Sequence, residues 1–168
     1  VHIQMNLPDN DIVIINTTLK DYKSVSAGVT YFDLQGKALY KKNIKLNAKA
    51  NMATACFTPD KVNNLPSLYL ARLELKDSKG KVLSVNDYWE TDGNSESYKK
   101  MNSLPSSTVK IKAKKEKGKI LVEVSNPAQN LIASIKLNVA GNKTGEILLP
   151  AYFSEGYFNL LTGEERII

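Results

Sequence analysis

The residues able to do chemistry are few in this chain. Histidine occurs once, at His2, and cysteine once, at Cys56. A Ser-His-Asp or Cys-His arrangement could therefore form only through a histidine beside the terminus. A single cysteine excludes an intramolecular disulfide and a thiolate metal cluster. We expect His2 to be an ordinary strand residue and Cys56 to be a buried small apolar residue.

Carboxylates are the other candidates, because glycoside hydrolysis uses two of them that face each other about 5–10 Å apart. The glutamates fall in turns or at outward strand positions, and no spacing pairs them: Glu74, Glu90, Glu123, Glu155, Glu164 and Glu165. Surface solvation explains such positions. We therefore expect no catalytic residue, no metal site and no cofactor in this chain.

Two weak motifs carry little functional information. Asp9, Asn10 and Asp11 lack the spacing of a calcium loop, and with Pro8 they predict a β-turn. Asn16 and Asn142 begin Asn-x-Thr sequons, which matter only in a secreted eukaryotic protein.

Aromatic residues could form a surface, because the apolar face of a sugar packs on an exposed ring. They cluster as Tyr88-Trp89 and as a second group, Tyr152, Phe153, Tyr157 and Phe158. The alternative is that one residue of each adjacent pair lies in the core and the other contacts a neighbouring domain.

The charge is basic, with a net charge of +6 and a pI near 9.2. Lys110, Lys112 and Lys114 alternate with apolar residues, as on the hydrated face of a strand. Few aromatic residues interleave with these lysines, so we expect no nucleic-acid site. No apolar run approaches the roughly 20 residues of a membrane helix, so we expect no membrane span.

The elements that would position these residues are strands, and the clearest are in segment 67–90. Tyr69, Ala71, Leu73 and Leu75 alternate with polar residues, the period of a half-buried strand. A turn ending at Gly80 then predicts an antiparallel hairpin. About seven such strands with regularly spaced turns predict an immunoglobulin-like β-sandwich over residues 1–92.

The chain then changes character. The polar segment 93–107 is predicted to be a linker. A second alternating series over 108–168, including expected strands at 119–126, 131–139, 146–153 and 157–161, predicts a second sandwich. It has six strands at best and lacks its last strands, so we expect that the native polypeptide continues beyond Ile168 or that this end is disordered or borrowed. The fold class is thus all-β, with two tandem immunoglobulin-like β-sandwiches.

Four segments resemble a known family and keep its order along nearly the whole chain. They are HIQ with IVIIN (2–4 and 12–16), LYLARL with GKVLS and the pair Tyr88-Trp89 (68–73, 80–84), YKKMNSLP (98–105), and LLPAYFSEGYF with LTGE (148–158, 161–164). Together they resemble the C-terminal immunoglobulin-like domains of bacterial glycoside hydrolase family 2 enzymes, of the β-mannosidase and exo-β-D-glucosaminidase type.

The resemblance implies that the chain is accessory. In that family the two catalytic glutamates lie on a TIM barrel, which nothing here matches, so this chain would pack on an absent catalytic barrel and would not itself be an enzyme. The parent would be a retaining glycosidase, periplasmic or secreted. The alternatives are a carbohydrate-binding module and a cell-surface immunoglobulin-like adhesion domain.

A surface for domain or sugar contact is predicted around the aromatic residues and two leucines. Leu68 and Leu70 fall on the outward phase of their strand, where water would favour polar residues, and so predict an apolar patch. The full set is Leu68, Leu70, Tyr88, Trp89, Tyr152, Phe153 and Tyr157.

Overall fold

The computed structural model describes residues 1–7 and 9–168 and divides them into two compact units. The N-terminal unit is Val1–Asn102 and the C-terminal unit is Ser103–Ile168. The boundary falls inside the segment predicted as a linker, 93–107. The predicted turn at 8–11 includes Pro8, which lies outside the described residues.

The N-terminal unit is built from seven strands in two antiparallel sheets. One sheet has the order β1-β2-β5 and the other has the order β4-β3-β6-β7. The strands are β1 (His2–Met5), β2 (Ile12–Asn16), β3 (Tyr22–Phe32), β4 (Ala38–Ala48), β5 (Met52–Phe57), β6 (Leu68–Lys76) and β7 (Val82–Thr91).

The β6–β7 hairpin confirms the alternation seen in the sequence. Ala71, Leu73 and Leu75 are buried in the core between the two sheets. At the turn, the carboxylate of Asp77 accepts hydrogen bonds from the backbone N–H groups of Lys79 and Lys81, at 2.8 and 2.9 Å. Gly80 has a φ of 85°, a conformation that glycine adopts at little steric cost.

Strand β1 is an edge strand, and side chains of β7 cover its open backbone. The hydroxyls of Ser84 and Tyr88 accept hydrogen bonds from the N–H groups of Ile3 and Met5, and the amide of Asn86 donates to the carbonyl of Ile3, at 2.6 Å. An uncovered edge would leave these groups as a template for pairing with another chain. The polar face of β7 therefore ties the two sheets together.

A 3-10 helix (Ser95–Ser103) follows β7 and occupies much of the predicted linker. Ser97 donates to the Asp92 carboxylate at 2.9 Å, and the Tyr98 hydroxyl donates to the Trp89 carbonyl at 3.1 Å. Lys100 also donates to the hydroxyl of Ser67. Local polar contacts hold this helix. It was not predicted from the sequence, because no amphipathic pattern marks it.

The C-terminal unit has five strands. One sheet has the order β12-β9-β8, and the other contains only β10 and β11. The strands are β8 (Lys110–Glu116), β9 (Lys119–Ser125), β10 (Ile132–Lys136), β11 (Tyr157–Leu160) and β12 (Glu165–Ile167). The prediction of an all-β fold with two immunoglobulin-like domains is confirmed, whereas the absence of last strands from the second sandwich stays a prediction.

The strand predicted at 146–153 is wrong. In that segment the described residues form a single bridge, between Ala140 and Ile147. Pro150 has no N–H to donate to a ladder, so an apolar run around it does not make a paired strand.

The cores of the two units differ in size. In the N-terminal unit, buried side chains of both sheets form one cluster that includes Ile3, Ile14, Val29 and Leu73. In the C-terminal unit, the buried cluster consists of Val124, Phe158 and Leu160, with partly buried neighbours. Across the described residues, none of the helices is long and apolar enough to span a membrane.

Candidate functional surfaces

The lone cysteine is not set up as a nucleophile. Cys56 lies on β5 and is half-buried, and its Sγ is 3.6 Å from the carbonyl oxygen of Thr54. Burial raises the pKa of the Cys56 thiol to about 11. Because the thiolate is the reactive species, this thiol stays protonated and inert near neutral pH.

A largely buried carboxylate of the N-terminal unit, Asp87, serves packing. Asp87 on β7 accepts two parallel hydrogen bonds from Arg72 on β6, at 2.8 and 2.9 Å, and the two residues are direct partners in the strand register. Such a bidentate pair fixes geometry and neutralises both charges. It offers no carboxylate to a substrate.

A second carboxylate cluster lies in the C-terminal unit. The guanidinium of Arg166 contacts Glu155 at 2.5 Å and Glu164 at 3.2 Å, and Glu164 also accepts the N–H of Leu161 at 2.8 Å. Both carboxylates are thus committed to one cation. Glycoside hydrolysis instead needs one acid and one base facing a sugar.

An exposed polar cluster on the N-terminal unit is also structural. Asp60 accepts from Lys42 at 2.7 Å and from the Tyr40 hydroxyl at 2.9 Å. These two hydrogen bonds hold the pKa of Asp60 below its usual range. Throughout residues 1–7 and 9–168, no group of three or more His, Cys, Asp or Glu side chains could hold a metal ion.

A shallow groove of about 140 Å³ lies on the face of the four-stranded sheet that points away from the core. Gly28 forms part of its floor, and a Cβ there would come within 3.2 Å of the Asn43 Cβ. Glu74 and Lys76 on its wall pair with each other at 2.9 Å. Among the described residues that line it, none is aromatic, so it lacks the platform on which a sugar would stack.

The predicted contact residues separate into covered and open members. Leu68 and Leu70 expose only 1% and 0% of their surface. The exposed patch predicted there is therefore wrong, and neither leucine is available to a sugar; a role in domain contact stays a prediction. Tyr88 is partly buried against the N-terminal core, and Trp89 is also partly buried.

The open members all lie in the C-terminal unit. Tyr152 is 93% exposed and Tyr157 is 67% exposed, while Phe153 is partly buried. The ammonium of Lys136 lies 5.5 Å from the Tyr157 ring centroid. Neighbouring Phe158 is buried in the small core. The adjacent pair Tyr157-Phe158 thus has one ring outside and one inside.

Two buried asparagines, which we call the corner asparagines Asn16 and Asn126, were missed by the sequence reasoning. The Nδ2 of Asn16 donates to the carbonyls of Lys20, Ala48 and Lys49, at 2.9, 3.3 and 2.8 Å. Its Oδ1 accepts the N–H of Thr18. The nitrogen that glycosylation would modify is therefore buried and fully engaged, so the sequon at Asn16 is closed in the folded protein.

Asn126 repeats this arrangement in the C-terminal unit. Its Nδ2 donates to the carbonyls of Asn130, Leu160 and Leu161, at 2.8, 3.1 and 3.1 Å, and its Oδ1 accepts the N–H of Ala128. In both units the three carbonyls belong to the residue four positions after the asparagine, to the last residue of a later strand and to the residue that follows that strand.

A second structural feature, a β-bulge at a serine, follows each corner asparagine along the chain. The first strand after each asparagine has a β-bulge at a serine with positive φ, 50° at Ser24 and 55° at Ser134. The N–H of each serine donates to an asparagine Oδ1 on the paired strand, Asn47 at 2.8 Å and Asn159 at 2.9 Å. Each serine is the eighth residue after its asparagine. A search of the sequence for an asparagine followed eight residues later by a serine would have found both pairs.

Comparison with protein families accounts for nearly the whole chain. Residues 9–92 match the model of the mannosidase Ig/CBM-like domain, and residues 86–168 match that of the exo-beta-D-glucosaminidase Ig-fold domain. The two matches follow one another along the chain, as the two structural units do.

Curated relatives and a solved structure agree with these matches. The chain is 34% identical over 92 residues to an exo-beta-D-glucosaminidase of Streptomyces avermitilis and 36% identical over 91 residues to one of Hypocrea jecorina. These alignments cover 53% and 54% of the chain and 10% of each relative, so the chain spans about a tenth of the curated relatives it matches. The crystal structure of the exo-chitosanase CsxA from Amycolatopsis orientalis is similar in fold over 99% of this chain and 22% of that one, with a TM-score of 0.83 and 24% identity.

Proposed function

The chain belongs to the mannosidase Ig/CBM-like domain family, and from this premise we propose that its two sandwiches are accessory domains of an exo-β-D-glucosaminidase. They would pack on a TIM-barrel catalytic domain and support it. The observation that carries this proposal is the order of the two family matches, which run in tandem along a chain that covers only a tenth of its relatives. The chemistry would be retaining hydrolysis on two carboxylates of the barrel.

The type of parent enzyme follows from the relatives. The resemblance read from the sequence pointed equally to β-mannosidases and to exo-β-D-glucosaminidases. The curated relatives named above are exo-β-D-glucosaminidases, and the β-mannosidase expectation finds no support among them. We therefore propose an amino sugar as the substrate of the parent. Because a polysaccharide is too large to cross a membrane unaided, we also propose a periplasmic or secreted parent, which cell fractionation would test.

The side chains of this chain fit an accessory role. Three of its carboxylates are paired with arginine, Asp87 with Arg72 and both Glu155 and Glu164 with Arg166. Its thiol is protonated because burial raises the pKa of Cys56. The well-ordered polar groups hold strands together and leave no acid–base pair prepared for a substrate.

The test is an assay of the chain alone and within an enzyme. The purified chain should release no p-nitrophenol from p-nitrophenyl β-D-glucosaminide. A full-length exo-β-D-glucosaminidase carrying this chain in place of its matching domains should hydrolyse that substrate. The same enzyme with the matching domains deleted should lose thermal stability. Turnover by the chain alone, or a deletion that leaves stability and activity unchanged, would contradict the proposal.

A second candidate function is sugar contact, favoured by the exposure of Tyr152 and Tyr157. An exposed ring can pack on the apolar face of a sugar. Calorimetric titration with chitosan oligosaccharides would reveal this activity, and Tyr152→Ala and Tyr157→Ala should then weaken it. The matched control is Tyr98→Ala, a substitution at a partly exposed tyrosine of the N-terminal unit. Absence of binding would reject sugar contact and leave the accessory role unaffected.

A further inference from the structure

One end of the four-stranded sheet carries polar side chains on the face that points into the core. Tyr31 of β3 lies opposite Tyr40 of β4 in the register, and Tyr69 of β6 lies opposite Glu90 of β7. The ring centroids of Tyr40 and Tyr69 are each 5.0 Å from that of Tyr31. Because Tyr69 packs against the core and cross-strand partners share a face, Glu90 faces inward and not outward as the sequence suggested. We call these four residues the tyrosine–glutamate cluster.

The polar oxygens of this cluster differ in their hydrogen bonding. The Tyr40 hydroxyl is engaged with Asp60. Within residues 1–7 and 9–168, the hydroxyls of Tyr31 and Tyr69 and the carboxylate of Glu90 have no hydrogen bond or ion pair. Tyr31 is nevertheless only 7% exposed, and Glu90 is partly buried. Three polar groups therefore lie at one end of the core without a partner in the described chain.

These unpaired oxygens reach solvent through the end of the sandwich. Every fully buried side-chain nitrogen and oxygen of the described residues has a hydrogen-bond partner, so the Tyr31 hydroxyl and the Glu90 carboxylate must touch water. The opening at Tyr31 is narrow, because so little of that side chain is exposed. It admits a small polar group and not a flat ring.

The electrostatics of the cluster favour a cation. Burial raises the pKa of Glu90, and no cation of the described chain opposes this effect. Burial also raises the pKa of Tyr31, and the charge of the nearby Glu90 carboxylate adds to that shift. A carboxylate held without a counter-ion in such a place costs stability, and a bound cation would remove that cost. Tyrosine rings attract the same charge through their electron-rich faces.

We propose that the tyrosine–glutamate cluster binds the ammonium group of an amino sugar, with the Glu90 carboxylate and the hydroxyls of Tyr31 and Tyr69 as acceptors. An ammonium group has three N–H donors and no acceptor, which matches three oxygens that lack a donor. The sugar ring stays outside the narrow opening. The choice of an amino sugar rests on the proposed function, because the parent enzyme proposed above acts on such sugars.

The test is a titration of the chain with the glucosamine dimer, followed by NMR at the backbone amides of Tyr69 and Glu90. The matched ligand is the N,N′-diacetylated dimer, which has the same rings and no ammonium group. The glucosamine dimer should bind at least about tenfold more tightly than the diacetylated dimer, equivalent to about 1.4 kcal/mol.

Two variants assign the binding to the cluster. Glu90→Gln removes a charge that opposes folding, so this variant should fold and still lose at least about tenfold in affinity. Tyr31→Phe keeps the ring and removes one hydrogen bond, which should weaken binding by roughly two- to tenfold. The control is Glu74→Gln, which removes a carboxylate from the opposite face of the same sheet and should leave the affinity unchanged.

The other outcomes would overturn the proposal. They are equal affinity for the two dimers, no binding of either, and full affinity in Glu90→Gln. Tighter binding of Nα-acetyl-lysine amide than of the glucosamine dimer, at the same amides, would assign the cluster to a lysine of a protein partner and would equally overturn it. These titrations use the chain alone, so they can fail while the accessory role, tested by deletion in the parent enzyme, stands. Tyr152→Ala should leave the affinity unchanged, which separates this site from sugar contact at Tyr152 and Tyr157.

Discussion

The N-terminal and C-terminal units contain the same folding devices but bury very different amounts of apolar surface. Each has a corner asparagine that donates to three carbonyls and a serine bulge held by a second asparagine. One unit faces its three-stranded sheet with four strands, and the other with two. Polar devices thus fix the topology locally, whereas the second layer decides how much of the first is removed from water.

The difference is sharpest at the first strand of each unit. All seven residues of β8 are exposed, whereas Ile3 and Met5 of β1 are buried. The four predictions below probe this contrast between the units.

The largest effect is expected at an isoleucine on the first strand of each unit. Ile3→Ala should lower the free energy of unfolding of the N-terminal unit by roughly 2–5 kcal/mol, because it removes a fully buried side chain. Ile111→Ala should change the C-terminal unit by less than about 0.5 kcal/mol, because the side chain is already largely in water. Trp89, the single tryptophan, reports the N-terminal unit during urea unfolding. Exchange protection reports the C-terminal unit. Similar losses of unfolding free energy from Ile3→Ala and Ile111→Ala would contradict the expected difference between the two units.

The corner asparagines should behave alike in the two units. Asn16→Ala and Asn126→Ala each leave buried carbonyls without a donor, at a cost of roughly 1–3 kcal/mol to the unit concerned. Thermal unfolding followed by circular dichroism would measure the loss. Asn142→Ala, at an exposed asparagine of the other sequon, is the control and should have no effect. A harmless Asn126→Ala would show that the two corners are not equivalent.

The bulge serines test the same symmetry on a smaller scale. Ser24→Val and Ser134→Val should each destabilise by about 1–2 kcal/mol, because a β-branched residue is strained at positive φ. Ser24→Gly and Ser134→Gly should be close to neutral, since glycine adopts this conformation freely. Urea midpoints of the four variants would provide the comparison. If valine were tolerated at one bulge and not at the other, the two bulges would not be equivalent.

The smallest effect is expected from Glu90, which is peculiar to the N-terminal unit. Burial raises the pKa of Glu90, so its ionisation opposes folding. Stability from this group is complete below the unfolded-state pKa and is lost as the pH rises through the folded-state pKa. Glu90→Gln should therefore stabilise the protein by a few tenths of a kcal/mol, at most about 1 kcal/mol, at pH 7. Thermal unfolding at pH 7 and at pH 3 would measure this gain, which should vanish at the lower pH. A gain that grows as the pH falls would contradict this assignment.

The sequence predicted the features that are local. Alternation over Tyr69 to Leu75 and a glycine at the turn identified the β6–β7 hairpin, because both signals lie within a few residues. The same alternation placed Leu68 and Leu70 correctly on the face away from the core. It could not predict their burial, since periodicity identifies a face and not what covers it.

The features that the sequence reasoning missed are long-range or lack a periodic signature. Asn16 was read as a sequon, yet it donates to Ala48 and Lys49, more than thirty residues away. No hydrophobic pattern encodes such a bond. At 146–153 the pattern was present but the strand was not. The apolar residues suggested a paired strand, but Pro150 has no N–H to donate to a ladder.

Amide hydrogen exchange across β1 and β8 in one sample of the chain is the most direct test of the account. The two strands occupy equivalent places in the two units and differ in whether a second layer covers them. We expect the amides of Ile3 and Met5 to be protected at least about 100-fold more than those of Ile111 and Ala113. Equal protection of the two strands would contradict the central claim, that the two units share their folding features while the described residues cover β1 and leave β8 in water.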